Sequence, residues 1–225
     1  MYQFITGPLL WFSFIFFFVG CLARVVLYIR GLDWRLDRVT YTKNVSFGVK
    51  GALRSIFFWL VPYGTRSWRN NPIYTLVIFL FHLGVIVTPV FLSAHNIILQ
   101  ERWGFRLPSF PDGLSDALTV TVIVTALIIL ARRMALFHVR VLTRPHDILV
   151  MLITVAPFIT GFFAYHQVSG SSFWTLAHIL SGEVMLVAIP VTKLSHVVLF
   201  FCSRAQIGID FGVKRGGMKS GGMTW

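Results

Sequence analysis

Between Pro72 and Gln100 the chain runs for 29 residues without an Asp, Glu, Lys or Arg. A helix needs about 20 apolar residues to cross the hydrocarbon of a bilayer, so this run spans with residues to spare. Lipid offers nothing for peptide groups to bond, so a spanning segment satisfies them internally as a helix. Four further runs repeat the pattern. Residues 4–29 are apolar apart from Arg24 near the end. Residues 115–131 form the shortest run, extended to 134–137 if Arg132 and Arg133 snorkel. Residues 148–166 and 173–201 complete the set. The expected fold class is an all-α membrane protein with five transmembrane helices. Composition agrees: 12% of residues are charged, against about a quarter in soluble domains.

The net charge of +12 would suit a nucleic-acid binder if it coated a soluble fold. Here the basic residues lie between the apolar runs, so the bilayer explains them and no nucleic-acid partner is expected. Nine Lys and Arg fall in Arg24–Arg69, four in 132–147 and four after Phe201. Only two fall in 100–116 and none in 167–173, while Lys193 lies within the membrane. By the positive-inside rule the N-terminus is periplasmic and the C-terminus cytoplasmic, in a bacterial inner membrane. The opening MYQFITGPLLW has no basic residue ahead of its apolar run, so it reads as an uncleaved first helix. Residues 46–61 are too charged to cross yet amphipathic. They read as an interfacial helix on the cytoplasmic face, capped by Ser46 and stopped by Pro62. The domain reading is a five-helix domain over 1–203 and a flexible basic cytoplasmic tail over 204–225. That tail is either a solvated end or a strap that orders on a cytoplasmic subunit. Cys21 and Cys202 form no CxxC, and no CxxCH occurs, which excludes a disulfide framework and covalently attached c-type haem.

Chemistry enters through the histidines. Four of the seven lie in two of the runs: His82 and His95 in the second, His178 and His196 in the fifth. Those helices run antiparallel, which puts His82 and His196 near the cytoplasmic side and His95 and His178 near the outer side. Two haems stacked across a membrane, each clamped by one imidazole from each helix, need this arrangement. On a continuous helix His178 and His196 share one face about 27 Å apart, five turns along. His82 and His95 are about 20 Å apart but about 140° out of phase on an ideal helix. Pro89 and Pro190 lie between the members of each pair and are able to alter the winding. His166, at the outer end of the fourth run, is a rival ligand for the outer haem, a participant at a quinone or proton site, or an interfacial residue. His138 and His146 read as solvated loop residues. Lys193, three residues before His196, is either a partner for an inner-haem propionate or a snorkelling lysine. Glu183 is either a proton acceptor at a quinone site or a neutral hydrogen-bonding carboxyl. The contrasting class is a haem-free polytopic scaffold or transporter whose histidines only pack.

The stretch IPVTKLSH (189–196) resembles the end of the last helix of the gamma subunit of respiratory nitrate reductase. Proline, a hydroxyl residue, a basic residue, leucine and a haem-binding histidine follow there in the same order. FHLG (81–84) resembles that family's first haem histidine. With GLDWRLDR and FFWLVPYG included, the whole chain is similar to the cytochrome b subunits of sulfate-reducer transmembrane redox complexes of the Hmc and Tmc type. That resemblance implies a membrane subunit rather than a standalone enzyme, with two haem b and menaquinone as a further candidate. It implies a periplasmic multihaem cytochrome c, a cytoplasmic iron–sulfur protein and other integral membrane subunits as partners, beside membrane lipid.

Overall fold

Every secondary-structure element among the described residues is helical. The structure is a computed structural model that describes residues 2–32 and 45–214. In chain order the helices are α1 (Tyr2–Arg30), α2 (Val45–Leu60), α3 (Arg66–Asn70), α4 (Pro72–Phe91) and α5 (Ser93–Trp103). After them come α6 (Asp112–Ala135), α7 (Phe137–Arg140), α8 (Pro145–Tyr165), α9 (Ser171–Val191) and α10 (His196–Lys214). Five of these, α1, α4, α6, α8 and α9, are long and apolar enough to cross a membrane. The chain is a multi-pass membrane protein.

Burial is inverted relative to a water-soluble fold. Large apolar side chains stand outward, Phe18, Leu22 and Leu127 each more than 60% exposed, while Ser13, Ser55, Thr75, Thr125 and Thr154 are buried. Helices in lipid gain nothing by hiding leucine from leucine, so small and hydroxyl residues line their contacts instead. Thr125 and Thr154 return their hydroxyls to carbonyls one turn back, which leaves smooth faces for packing.

Contacts divide the chain into two compact units, Met1–Ser13 with Leu76–Met185 and Phe14–Thr75 with Leu186–Trp225. In the first, α4 meets α6 where Gly84 faces Val122; a Cβ there would lie 3.3 Å from the Leu118 carbonyl. The Thr160 and Ser181 hydroxyls join α8 to α9 at 3.1 Å. In the second, α2 and α10 cross with backbones touching at Gly51 and Gly208, where a Cβ on Gly51 would stand 2.6 Å from the Gly208 carbonyl oxygen. Arg204 on α10 lies 4.5 Å over the Trp59 ring, which meets Trp68 edge-on. Burial lowers the Arg204 guanidinium from its ordinary value, while Tyr28 raises it. The stretch expected to form an amphipathic helix is therefore helical and has a partner helix. Gly48, Gly51, Ala52 and Ser55 form its buried face, and Val45, Val49, Leu53, Phe57 and Leu60 form an exposed apolar stripe.

Several boundaries differ from expectation. Ser46 lies inside α2 rather than at its cap. The run 72–100 is two helices: Leu92 takes an extended ψ of 129° between α4 and α5. Proline at 89 supplies no N–H and crowds the turn before it, so the ladder fails just beyond. The run 173–201 breaks in the same way two residues after Pro190. Thr192 is extended, a single tight turn follows at Lys193–Ser195, and α10 begins at His196. Thr192 satisfies both sides of the break, donating to the Ala188 carbonyl and accepting from the Leu194 N–H. The tail expected from 204 is helical to Lys214, because Gly208 serves as a crossing point and not as a linker. Residues 215–225 lie outside the described residues.

The glycine crossing is testable by chemical denaturation in detergent micelles, followed by tryptophan fluorescence. Gly208→Ala should lower unfolding free energy by about 1–3 kcal/mol through overpacking. Gly113→Ala, where a Cβ meets nothing within 4 Å, should leave stability unchanged or raise it by up to about 1 kcal/mol.

Candidate functional site

Each of the four membrane histidines spends its Nδ1 on a backbone carbonyl. His82 Nδ1 donates to Ile78 O at 2.8 Å, one turn back on α4. On α5, His95 Nδ1 donates to Pro89 O at 2.9 Å. His178 Nδ1 reaches from α9 to Pro157 O on α8 at 2.9 Å, and His196 Nδ1 donates to Lys193 O at 2.9 Å. A carbonyl accepts only, so in each ring the proton is on Nδ1 and the neutral imidazole carries its lone pair on Nε2. Metal-binding histidines are oriented by this same outer hydrogen bond.

The helix breaks create two of these bonds, those of His95 and His196. Ending α4 at Phe91 leaves the carbonyls of its last turn without helical donors. His95 Nδ1 takes Pro89 O, Asn96 Nδ2 approaches Val90 O at 3.3 Å, and the Phe110 N–H takes Phe91 O at 2.9 Å. In the second unit Arg24 Nε donates to Pro190 O at 2.6 Å, which gives the one basic residue of α1's apolar run an acceptor. Gly20 lies against the Pro190 ring and lets α1 approach there.

In the first unit the rings of His95 and His178 face each other, with centroids 5.9 Å apart and planes inclined by 16°. A metal ion about 2 Å from a nitrogen of each ring would set two such centroids roughly 6 Å apart. Gly161 on α8 makes the space for His178, since a Cβ there would stand 2.8 Å from the imidazole. One turn along α9 from His178, a Cβ on Gly182 would meet nothing within 4 Å. Two donors of fixed tautomer at this spacing could hold the iron of a haem between them. His82, at the middle of α4, sits edge-on to Phe81; His196 opens α10 in the second unit. The 140° phase difference expected between His82 and His95 dissolves, because the two stand on separate helices. By the same token His178 and His196 do not share a face of one helix.

The remaining candidates take different places. The His166 Nε2 stands 3.2 Å from Asp116 Oδ1, and its ring packs on Phe162 at 4.4 Å. Its Nε2 is thus turned to a carboxylate on α6. Lys193 is exposed, with its carbonyl engaged by His196. Glu183 is 4% exposed, and neither carboxyl oxygen has a hydrogen-bond partner among the described residues. His138 and His146 are exposed as expected, but they lie on α7 and in the first turn of α8 rather than in a loop.

A protein of Nitratidesulfovibrio vulgaris (strain Hildenborough) is 52% identical over 221 residues, covering 98% of each chain. The chain belongs to that protein's family. At this identity over almost the full length, the five-helix architecture extends to the relative. No family model and no solved structure matches the chain.

Sequence reasoning passed over Gly161, the Pro157 carbonyl, Asp116 and the acceptor for Arg24. A glycine in the middle of an apolar run was the available signal for the first, because lipid-facing positions do not require one. The others depend on which helices are neighbours. The tautomers can be read directly. In the isolated chain at neutral pH, ¹⁵N NMR of labelled histidine should place the proton of His95 and His178 on Nδ1. Gly161→Val should abolish that signature for His178 and leave His82 unaffected.

Proposed function

We propose that the chain is the cytochrome b subunit of a membrane redox complex, holding two non-covalent b haems and passing electrons across the bacterial inner membrane. The observation that supports this best is the facing pair His95 and His178, each with its Nδ1 committed to a carbonyl and its Nε2 lone pair available by tautomer. In this reading His95 and His178 would hold the outer haem, and the sequence assigns His82 and His196 to the inner one. The inner pair rests on the sequence argument from depth. When bound, each haem supplies a one-electron carrier whose potential the surrounding protein tunes.

The chain's own residues do the rest. The carbonyls of Ile78, Pro89, Pro157 and Lys193 hold the imidazoles in orientation and raise their basicity as ligands. Gly161 keeps a side chain away from the His178 ring. Lys193 sits beside His196 in sequence and serves the inner propionate as a counter-charge. The asymmetric distribution of Lys and Arg sets the orientation, with cytoplasmic basic segments offering a docking face for an iron–sulfur protein. A periplasmic multihaem cytochrome c, neighbouring membrane subunits and menaquinone complete the proposed circuit, as the resemblance to the Hmc-type and Tmc-type subunits implies.

A pyridine haemochrome assay on purified protein should give two protohaems per chain, extractable by acid-acetone. Absence of protohaem would return the chain to the class of haem-free scaffolds or transporters. Ligand pairing has its own signature in visible spectra. His95→Ala and His178→Ala should each remove the same component, and His82→Ala and His196→Ala the other. The double variant of His82 and His196 should keep one haem, whereas that of His82 and His178 should keep none. His166→Ala should retain both; loss of the outer component there, with His95→Ala unaffected, would overturn the pairing.

A further inference from the structure

Glu183 is the one carboxylate residue of α9 and lies deep in its span, 4% exposed, with both oxygens unpartnered among the described residues. An ionised carboxyl in such surroundings is stable only beside a compensating positive charge, and a structural carboxyl is normally hydrogen-bonded. Glu183 has neither. The titratable groups on the membrane helices of its own unit are few. His178 is on α9 itself, His82 on α4 and His95 on α5. Along α6 none occurs between Asp116 and Arg132, and along α8 none between Asp147 and Tyr165. None of these groups bonds to the Glu183 carboxyl. The nearest candidate along the chain for a variable charge is the position bounded by His95 and His178. Glu183 follows His178 by five residues, about 7.5 Å along the helix axis and about 140° around it, and directly follows Gly182 with its open surroundings.

We infer that Glu183 is a redox-linked proton acceptor, taking up one proton when one electron reaches the metal held by His95 and His178. The inference rests on the cytochrome reading above. Its balance is simple. In the oxidised state the positive charge at the ferric iron sustains the Glu183 carboxylate. One electron from a reduced c-type cytochrome, or from a dye mediator in the test, converts Fe(III) to Fe(II) and removes that charge. One proton from the aqueous phase then forms the O–H bond of the Glu183 carboxylic acid; no other bond changes. Reoxidation reverses both. Low dielectric and the absence of mobile ions make the coupling strong at this distance. The group thus lets an electron cross the membrane without leaving an uncompensated charge inside it.

The experiment is a mediated redox titration of the purified full chain across a range of pH, paired with redox-difference infrared spectroscopy. Wild type should show an outer-haem potential that falls with rising pH, approaching about 59 mV per pH unit for one proton per electron. Glu183→Gln should keep both haems and lose most of that slope. In wild-type protein, reduction should produce a carboxylic-acid C=O band that shifts in D2O. A slope retained in Glu183→Gln, or a pH-independent potential in wild type, overturns the assignment. If Glu183→Gln does not fold, the infrared band of the wild type and its shift in Glu183→Asp decide the matter, and absence of the band overturns it. Lack of haem in wild type defeats the cytochrome reading first, which separates the two failures.

Discussion

In hydrocarbon a carbonyl that loses its helical donor must find another, and this constraint shapes everything of interest in the chain. Proline at 89 and at 190 ends a spanning helix within a few residues, and each break releases carbonyls where no water waits. The donors that answer are a short and chemically distinctive list: the imidazoles of His95 and His196, the amide of Asn96, the guanidinium of Arg24 and the Phe110 N–H. Satisfying the backbone and preparing the histidines are one event. A neutral imidazole that donates through Nδ1 has its lone pair fixed at Nε2, and the His95 ring cannot turn without losing its bond to Pro89 O. Preorganisation of this kind costs no additional side chain.

The five spans were legible because length and the absence of charge suffice to identify a membrane helix. His82, His95, His178 and His196 were legible because an imidazole in an apolar run is expensive and asks for a reason. The two breaks were not, although the prolines that cause them stood in plain view. A proline in a membrane helix is often absorbed as a kink, and only neighbouring donors decide whether the chain recovers at once or restarts. Here Thr192 and Leu92 go extended because Arg24 and Phe110, far away in sequence, accept the consequences. The same reasoning explains why His166 drew attention as a rival ligand. Depth along the helix follows from sequence, but the Asp116 carboxylate facing it belongs to a neighbouring helix, α6.

Glycine carries two separate meanings in this molecule. At Gly51 and Gly208 its value is contact: backbones meet, and any side chain would wedge α2 from α10. At Gly161 and Gly182 its value is room, for an imidazole in one case and for open space in the other. Counting glycines as loop formers, as the reading of a flexible tail from 204 did, misses both uses. The basic, glycine-bearing stretch up to Lys214 is a helix whose glycine is a bearing surface.

The Pro157 carbonyl and the notch at Gly161 are formed by α8, yet the ring that fills them comes from α9, and the partner of Gly51 comes later still on α10. A ribosome delivers these pieces in order, with the earlier helices already threaded into lipid before the last two emerge. Both compact units therefore stay unfinished until α9 and α10 have been made. Translation stopping before α9 would strand a bilayer-embedded intermediate with half of each site, and any cofactor that needs His178 must be loaded after α9 has emerged.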